Sequence, residues 1–225
     1  MRKWVVIFVG ILSCSEYGIF KEWENRSQKE PISVLKEIGD SLRSPKFKRK
    51  MATTPLGPKV LDLAIMISKD LDYYKLPIDS LVKCADGLKS VVLFVYDFGI
   101  FDERWSDVLF AYREILRAAL DKMDGINDLD SLEKITYALQ PPLMAGIYKK
   151  EYEKLIDLYK SKSVANGEIR WGMGEDDVIE AWGEPDSVDT VYSISNASFG
   201  KILYWKNRGK GVLILDGRVE DVFEQ

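Results

Sequence analysis

Three carboxylates near the C-terminus, Glu180, Glu184 and Asp186, are the residues best suited by type and spacing to acid–base chemistry. A catalytic pair of carboxylates needs a defined separation and a shifted pKa, and the sequence establishes neither. Histidine is absent, which excludes histidine-dependent triads, histidine general bases and histidine metal ligands. We therefore expect a protein that is not an enzyme and that has no catalytic residues, metal site or cofactor.

The segment Gly209-Lys210-Gly211 has residue types found in phosphate-binding loops. It lacks the longer spacing between glycine and lysine that defines such a loop, and the apolar residues after it predict a strand where the loop would need a helix. We expect a hairpin turn at this point.

The N-terminus has the pattern of an export signal. Arg2 and Lys3 precede an apolar run from Trp4 to Leu12, and Ser13-Cys14-Ser15 follows. The run is shorter than the roughly 20 residues that span a bilayer. A charged start, about 7 to 15 apolar residues and small residues at the cut are typical of a signal peptide.

The sequence Ile11-Leu12-Ser13-Cys14 resembles the lipobox of bacterial lipoproteins, in which the cysteine becomes the acylated N-terminus. The resemblance implies a signal peptide over 1–14, lipidation of Cys14 with palmitate-type chains, and a location in the cell envelope. Ser15 favours the outer membrane, facing the periplasm. An uncleaved anchor running on through Phe20, cleavage without lipidation, and a buried first strand are the alternatives.

Cys84 is the only other cysteine, so lipidation of Cys14 leaves it without a disulfide partner. It lies in an apolar helical stripe, where we expect a buried free thiol. The net charge is −4 and becomes −6 without Arg2 and Lys3. A net acidic chain is a poor candidate for binding nucleic acid.

Positive charge is concentrated near the N-terminus. Residues 21–59 contain ten basic and five acidic residues, whereas 60–225 contain twenty and thirty. The densest stretch, 45–50, predicts part of a basic linker over 15–58 with one short helix at 31–44. Beside a lipid anchor, each of these cations would add about 1 kcal/mol of attraction to an anionic membrane; a solvated linker without that role is the alternative.

The region 59–162 predicts a helical domain. Apolar residues recur at helical spacing over 60–73, 78–90, 102–122 and 143–160, and Asp130 with Glu133 indicates the start of a short helix ending near Leu139. The apolar run 91–96 fits a buried strand or the end of a helix, and we favour helix because helices flank it.

The period changes from helix to strand after a linker at 163–167. A short acidic helix with Val178 and Trp182 on its inner side is expected to end at Gly183. Alternating segments then predict an antiparallel meander of three to four strands, with Asp216-Gly217 as a hairpin turn.

The motifs of residues 169–225 are similar to those of one family. They are Gly172-Met173, an acidic helix containing Val178, Gly183-Glu184-Pro185-Asp186, a strand ending in Tyr204-Trp205, and Asp216-Gly217-Arg218-Val219. This pattern resembles the SmpA/OmlA, or BamE-like, lipoproteins of the outer-membrane barrel-assembly machinery. The resemblance implies an α+β module over 168–225, structural roles for Gly172, Gly183, Pro185, Asp186 and Gly217, and a non-catalytic envelope protein.

Two functions remain for an α+β chain with an N-terminal helical domain and a C-terminal BamE-like module. The first is an anchored scaffold that binds other envelope proteins in outer-membrane assembly or maintenance. Its candidate contact residues are Trp171, Met173, Phe199 and Trp205, because aromatic residues are enriched at binding hot spots. The second is a periplasmic small-ligand or lipid-binding protein with a cavity in the helical domain lined by Phe94, Phe98, Phe101, Phe110 and Tyr112.

Overall fold

The computed structural model describes residues 14–100, 103–142, 148–193 and 198–224. Within them, nine α-helices precede a four-stranded antiparallel sheet, which confirms the α+β class. The helices are α1 (Cys14–Arg26), α2 (Pro31–Arg43), α3 (Pro45–Thr53), α4 (Leu56–Asp70), α5 (Ile78–Asp97), α6 (Glu103–Met123), α7 (Leu129–Ala138), α8 (Lys149–Ala165) and α9 (Glu175–Trp182). The strands are β1 (Ser187–Ser193), β2 (Ser198–Trp205), β3 (Lys210–Leu215) and β4 (Arg218–Glu224). The predicted signal peptide, apart from Cys14, lies outside the described residues.

The chain divides into two compact units. The helical unit contains the described residues up to Met123 together with Tyr137–Tyr152, and the sheet unit contains Asp124–Thr136 with the chain from Glu153 onward. This grouping differs from the predicted domains 59–162 and 168–225, because 124–136 and most of α8 belong with the sheet. The side chain of Arg170 accounts for part of this grouping, since it donates to Asp130 at 2.6 Å and to Glu133 at 3.3 Å.

In the helical unit, α2 and α5 pack through glycines. A Cβ added to Gly39 would lie 2.6 Å from the Cα of Gly87, so the two backbones approach as closely as glycine allows. The core around this crossing is apolar, with Leu35, Ile38 and Leu88 fully buried. This close approach holds α2 and α5 together at the centre of the helical core.

Most predicted helices of this unit are confirmed, and the run 91–96 is the end of α5. Cys84 is buried as expected, and its burial raises the pKa of the thiol to about 12. The short helix predicted from Asp130 begins at Leu129 as α7, and Asp128 caps it: its Oδ2 accepts from the backbone N–H of Ser131 at 2.9 Å. Asp102 and part of the predicted helix 143–160 lie outside the described residues.

The prediction of a linker over 15–58 is corrected by three helices, α1, α2 and α3. The basic stretch forms α3, which begins with Pro45 in its first turn and buries Met51. The prolines of this region do not prevent helix formation, because proline is well tolerated in the first turn of a helix. Here Pro45 starts a helix, and Pro58 lies in the first turn of α4.

In the sheet unit, α9 has the expected ends. Asp177 Oδ2 accepts from the N–H of Gly174 at 2.7 Å, and Gly183 ends the helix with a φ of 82°. The four strands follow in the order β1-β2-β3-β4. Asp216 and Gly217, with φ values of 49° and 78°, form the tight turn between β3 and β4 that the Asp-Gly pair predicted.

The core of this unit lies between α9 and one face of the sheet. It is formed by Met173, Val178, Leu203, Trp205, Val212, Ile214 and Val219. In β4, Val219 pairs with Ile214 and Val222 pairs with Val212, although the two valines are three positions apart. An irregularity in the β3–β4 register allows both to face the core, because residues at odd spacing in a regular strand point to opposite faces.

Candidate functional site

The N-terminal end of the helical unit brings the predicted lipidation site beside the basic helix. Helix α1 begins at Cys14, and Glu16, in its first turn, forms an ion pair with Lys50 of α3. The basic stretch that the sequence assigned to a linker is therefore held within one helical turn of Cys14. This juxtaposition could not be read from the sequence, in which the two residues are far apart.

Helix α1 is fixed by buried side chains and by one charged network. Phe20 and Trp23 are 6 % and 3 % exposed, and the Trp23 ring meets that of Phe47 in α3 edge to face at 6.1 Å between centroids. Arg26 donates to both carboxylate oxygens of Glu37 in α2, at 2.8 Å and 3.0 Å. The Arg26 guanidinium, with smaller help from the Trp23 indole, lowers the pKa of Glu37.

Several cations at this end remain exposed. Lys48 pairs with Asp97, and Lys50 pairs with Glu16. Lys46, Arg49 and Lys59 are exposed and form no ion pair with any residue that the structure describes. We call these three residues the cationic patch; an anionic surface is the partner that its charge fits.

The four residues predicted to contact partners separate into two pairs. Trp171 and Phe199 are 40 % and 71 % exposed, whereas Met173 and Trp205 are 0 % and 1 % exposed. Trp205 packs edge to face on Trp182 at 5.4 Å, and its Nε1 donates to the carbonyl oxygen of Gly183 at 3.1 Å. Met173 and Trp205 are therefore core residues and offer no contact surface.

Tyr192 was not predicted, yet it forms an exposed surface together with Phe199. The two residues face each other across β1 and β2, with ring centroids 4.7 Å apart, and Tyr192 is 54 % exposed. Strand β1 is at the edge of the sheet. The alternating pattern in both strands was the sequence signal for this pair. The sequence did not show the strand register that places Tyr192 opposite Phe199. We call Tyr192 and Phe199 the aromatic pair.

The face of the sheet opposite the core is also apolar. Ile202 and Leu213 are paired across β2 and β3, and the rings of Tyr204 and Phe223 meet edge to face at 6.3 Å on either side of Gly211. A Cβ at Gly211 would lie 2.5 Å from the Phe223 ring. These side chains are partly exposed. An antiparallel sheet with one wet face usually has polar residues there.

The predicted turn is found at 206–209, between β2 and β3: Gly209 is its last residue, whereas Lys210 and Gly211 begin β3. Arg208 and Lys210 lie over the Trp182 ring, at 5.0 Å and 6.0 Å from its centroid. These are cation–π contacts that stabilise the turn.

The three carboxylates considered for catalysis are all exposed. Asp186 Oδ2 accepts from the backbone N–H of Lys206 at 2.6 Å and so joins the start of β1 to the end of β2. Glu180 and Glu184 are exposed. Within the described parts of the chain, no group of three or more cysteine, aspartate and glutamate residues is arranged to hold a metal ion.

The glycines predicted to have structural roles have special backbone conformations. Gly172, Gly183 and Gly217 have φ values of 82°, 82° and 78°, which favour glycine. The backbone N–H of Val219 donates to the carbonyl oxygen of Met173 at 2.8 Å, so the 172–174 segment is tied to β4. Pro185 follows Gly183 and precedes β1.

The aromatic residues predicted to line a cavity in the helical unit differ in their exposure. Phe94 and Tyr112 are buried at 2 % and 0 % exposure, whereas Phe98 and Phe110 are 40 % and 62 % exposed. Tyr112 donates to the carbonyl oxygen of Leu139 at 3.1 Å and is a core residue. Phe101 lies outside the described residues.

Comparisons with known protein families, with curated proteins and with solved structures find no match to this chain. None of the helices that the structure describes is both long enough and apolar enough to cross a membrane.

Proposed function

We propose that this chain is a non-catalytic envelope lipoprotein, anchored through Cys14 and acting as a protein-interaction scaffold. The observation that carries the proposal is the ion pair between Glu16 and Lys50, which holds the basic helix α3 beside the predicted lipid anchor. A single lipid chain gives only marginal membrane binding, and a second signal such as a basic patch makes it stable. The cationic patch supplies that second signal.

The aromatic pair provides the proposed contact for a protein partner. Exposed aromatic rings are enriched among binding hot spots, and β1 is an edge strand to which an extended segment of another protein can add. The partner we propose is another envelope protein, in outer-membrane assembly or maintenance. The resemblance of residues 169–225 to BamE-like modules supports this direction, as does the lipobox.

The anchor is tested by expressing the full chain in a bacterium with labelled palmitate, comparing wild type with Cys14→Ala. We expect label and membrane retention in the wild type, and the loss of both in Cys14→Ala. Label that survives the substitution would refute lipidation at this residue.

The cationic patch is tested on the Cys14→Ala chain by co-sedimentation with anionic phosphatidylglycerol vesicles. Because each cation near the surface contributes about 1 kcal/mol, replacing Lys46, Arg49 and Lys59 by Gln should weaken binding at least tenfold at low salt. Added salt should weaken wild-type binding in the same direction. The matched control replaces three exposed lysines elsewhere, Lys83, Lys134 and Lys154. Equal losses in the two triple variants would show that net charge, not the patch, controls binding.

A further inference from the structure

A small apolar pocket lies next to the start of α1. Its volume is about 190 Å³, and its apolar walls are formed by Tyr17, Met51, Pro55 and Leu56. An apolar cavity of about 150 Å³ is large enough to hold a benzene molecule, so this pocket has room for a segment of about six or more carbon atoms. The pocket belongs entirely to the helical unit.

The rim of the pocket is charged, and its wall contains one unsatisfied hydroxyl. Lys50 and Lys59 line the pocket together with Glu16. Thr54 Oγ1 is hidden from solvent and has no hydrogen-bond partner among the described residues. A buried hydroxyl without a partner costs free energy, so a ligand with a carbonyl oxygen beside its hydrocarbon chain would fit this wall better than a pure hydrocarbon.

The short distance along α1 from Cys14 to the pocket points to an occupant. Glu16 and Tyr17 line the pocket, and helix α1 begins at Cys14, only three residues before Tyr17. Three helical residues advance about 4.5 Å along the axis. A group bonded to residue 14 therefore begins next to the pocket mouth, within reach of an acyl chain.

We infer that this pocket seats part of one acyl chain of the lipid carried by Cys14. The hydrocarbon lies against Met51 and Leu56, the Thr54 hydroxyl donates to an ester or amide carbonyl oxygen of the acyl linkage, and Lys59 faces the anionic headgroups beside it. This inference rests on the proposed lipidation of Cys14. It gives the helical unit a fixed orientation on the membrane, because the chain held in the pocket cannot act as a free tether.

The test is photo-crosslinking in the cell. The full-length wild-type chain is expressed with a palmitate analogue that carries a diazirine near the middle of its chain, membranes are irradiated, and crosslinked residues are located by mass spectrometry. We expect intramolecular crosslinks at Met51, Pro55 or Leu56. Crosslinks to membrane lipid alone would overturn the inference while leaving the lipoprotein proposal intact. A wild-type chain that incorporates no analogue would overturn both.

Variants of the pocket sharpen the result. Leu56→Trp should fill the space and reduce the yield of crosslinks to Met51 at least tenfold, and Thr54→Val should reduce it by a smaller factor. The matched control is Leu93→Trp in α5, which changes a 39 % exposed leucine and should leave the yield unchanged. If the crosslinks persist in Leu56→Trp, the acyl chain lies elsewhere. The wild-type crosslink map decides the question even if a variant fails to fold.

Discussion

The N-terminal end of the helical unit exposes a group of cations, whereas the C-terminal sheet exposes an aromatic pair. Around α1 and α3, the exposed residues include the cations Lys46, Arg49 and Lys59. Tyr17 and Ile19 of α1 are also exposed, at 49 % and 40 %. In the sheet, apolar side chains occupy both faces, and Tyr192 and Phe199 are more than half exposed. Charge attracts any anionic surface from a distance, whereas an exposed aromatic pair requires a partner that fits its shape. The cationic patch therefore favours binding through charge, whereas the aromatic pair favours binding to one specific partner.

The largest expected effect comes from the buried aromatic residue of β2, and a much smaller one from its exposed aromatic residue. Trp205→Ala should destabilise the sheet unit by about 3–5 kcal/mol, because it removes a large buried ring. Phe199→Ala should cost about 1 kcal/mol or less, the worth of one cross-strand pair. Urea unfolding followed by far-UV circular dichroism measures both. Similar losses in the two variants would mean that Phe199 belongs to the core.

The helical unit has its own sensitive contact, where the backbones of α2 and α5 meet. Gly39→Ala should destabilise this unit by about 1–3 kcal/mol, because the added Cβ would meet Gly87 at 2.6 Å. The matched control is Gly18→Ala in α1, where nothing lies within 4 Å of the added Cβ. That substitution should stabilise the protein by about 0.5–1 kcal/mol, since alanine favours helix over glycine. Urea unfolding measures both variants. An equal change in the free energy of unfolding for Gly39→Ala and Gly18→Ala would contradict the close packing of α2 and α5.

The two regions also differ in how far the sequence predicted them. The sheet unit was predicted in detail because its signals are local: Asp177 at the start of α9, Gly183 at its end, and the Asp216-Gly217 turn act on neighbouring residues. Alternation then fixed which residues share a face. Alternation did not show how far α9 covers the sheet toward the ends of the strands. Phe199 was therefore predicted as a contact residue, but Tyr192 was not.

The N-terminal end was predicted less well because its structure depends on contacts distant in sequence. The basic stretch 45–50 has the composition of a solvated linker, and its helix is stabilised by Met51 in the core and by the contact of Phe47 with Trp23. The Glu16–Lys50 ion pair joins residues of two different helices. Composition alone therefore identified the cations but not their place beside Cys14, nor the pocket that α1 and α3 line together.

The smallest expected effect concerns the charged network between α1 and α2. Its contribution to stability depends on pH, and it belongs to the helical unit alone. The pKa of Glu37 is lowered chiefly by its hydrogen bonds from Arg26. A carboxylate with a lowered pKa stabilises the folded state above its unfolded pKa, about 4.3, and this stabilisation is lost as the pH falls through the lower folded value. Since Glu37 is 39 % exposed, Glu37→Gln should cost only about 0.5–1 kcal/mol at pH 7.

The difference between wild type and Glu37→Gln should therefore close as the pH falls below about 4. Hydrogen exchange at pH 7 should show faster opening of α1 in the variant and no change in the sheet. Glu180→Gln, which changes an exposed carboxylate of α9, is the matched control and should alter neither. A gap that persists at low pH would show that Glu37 acts through packing and not through its charge. In that case the attachment of α1 to α2 would not depend on the ionisation of Glu37.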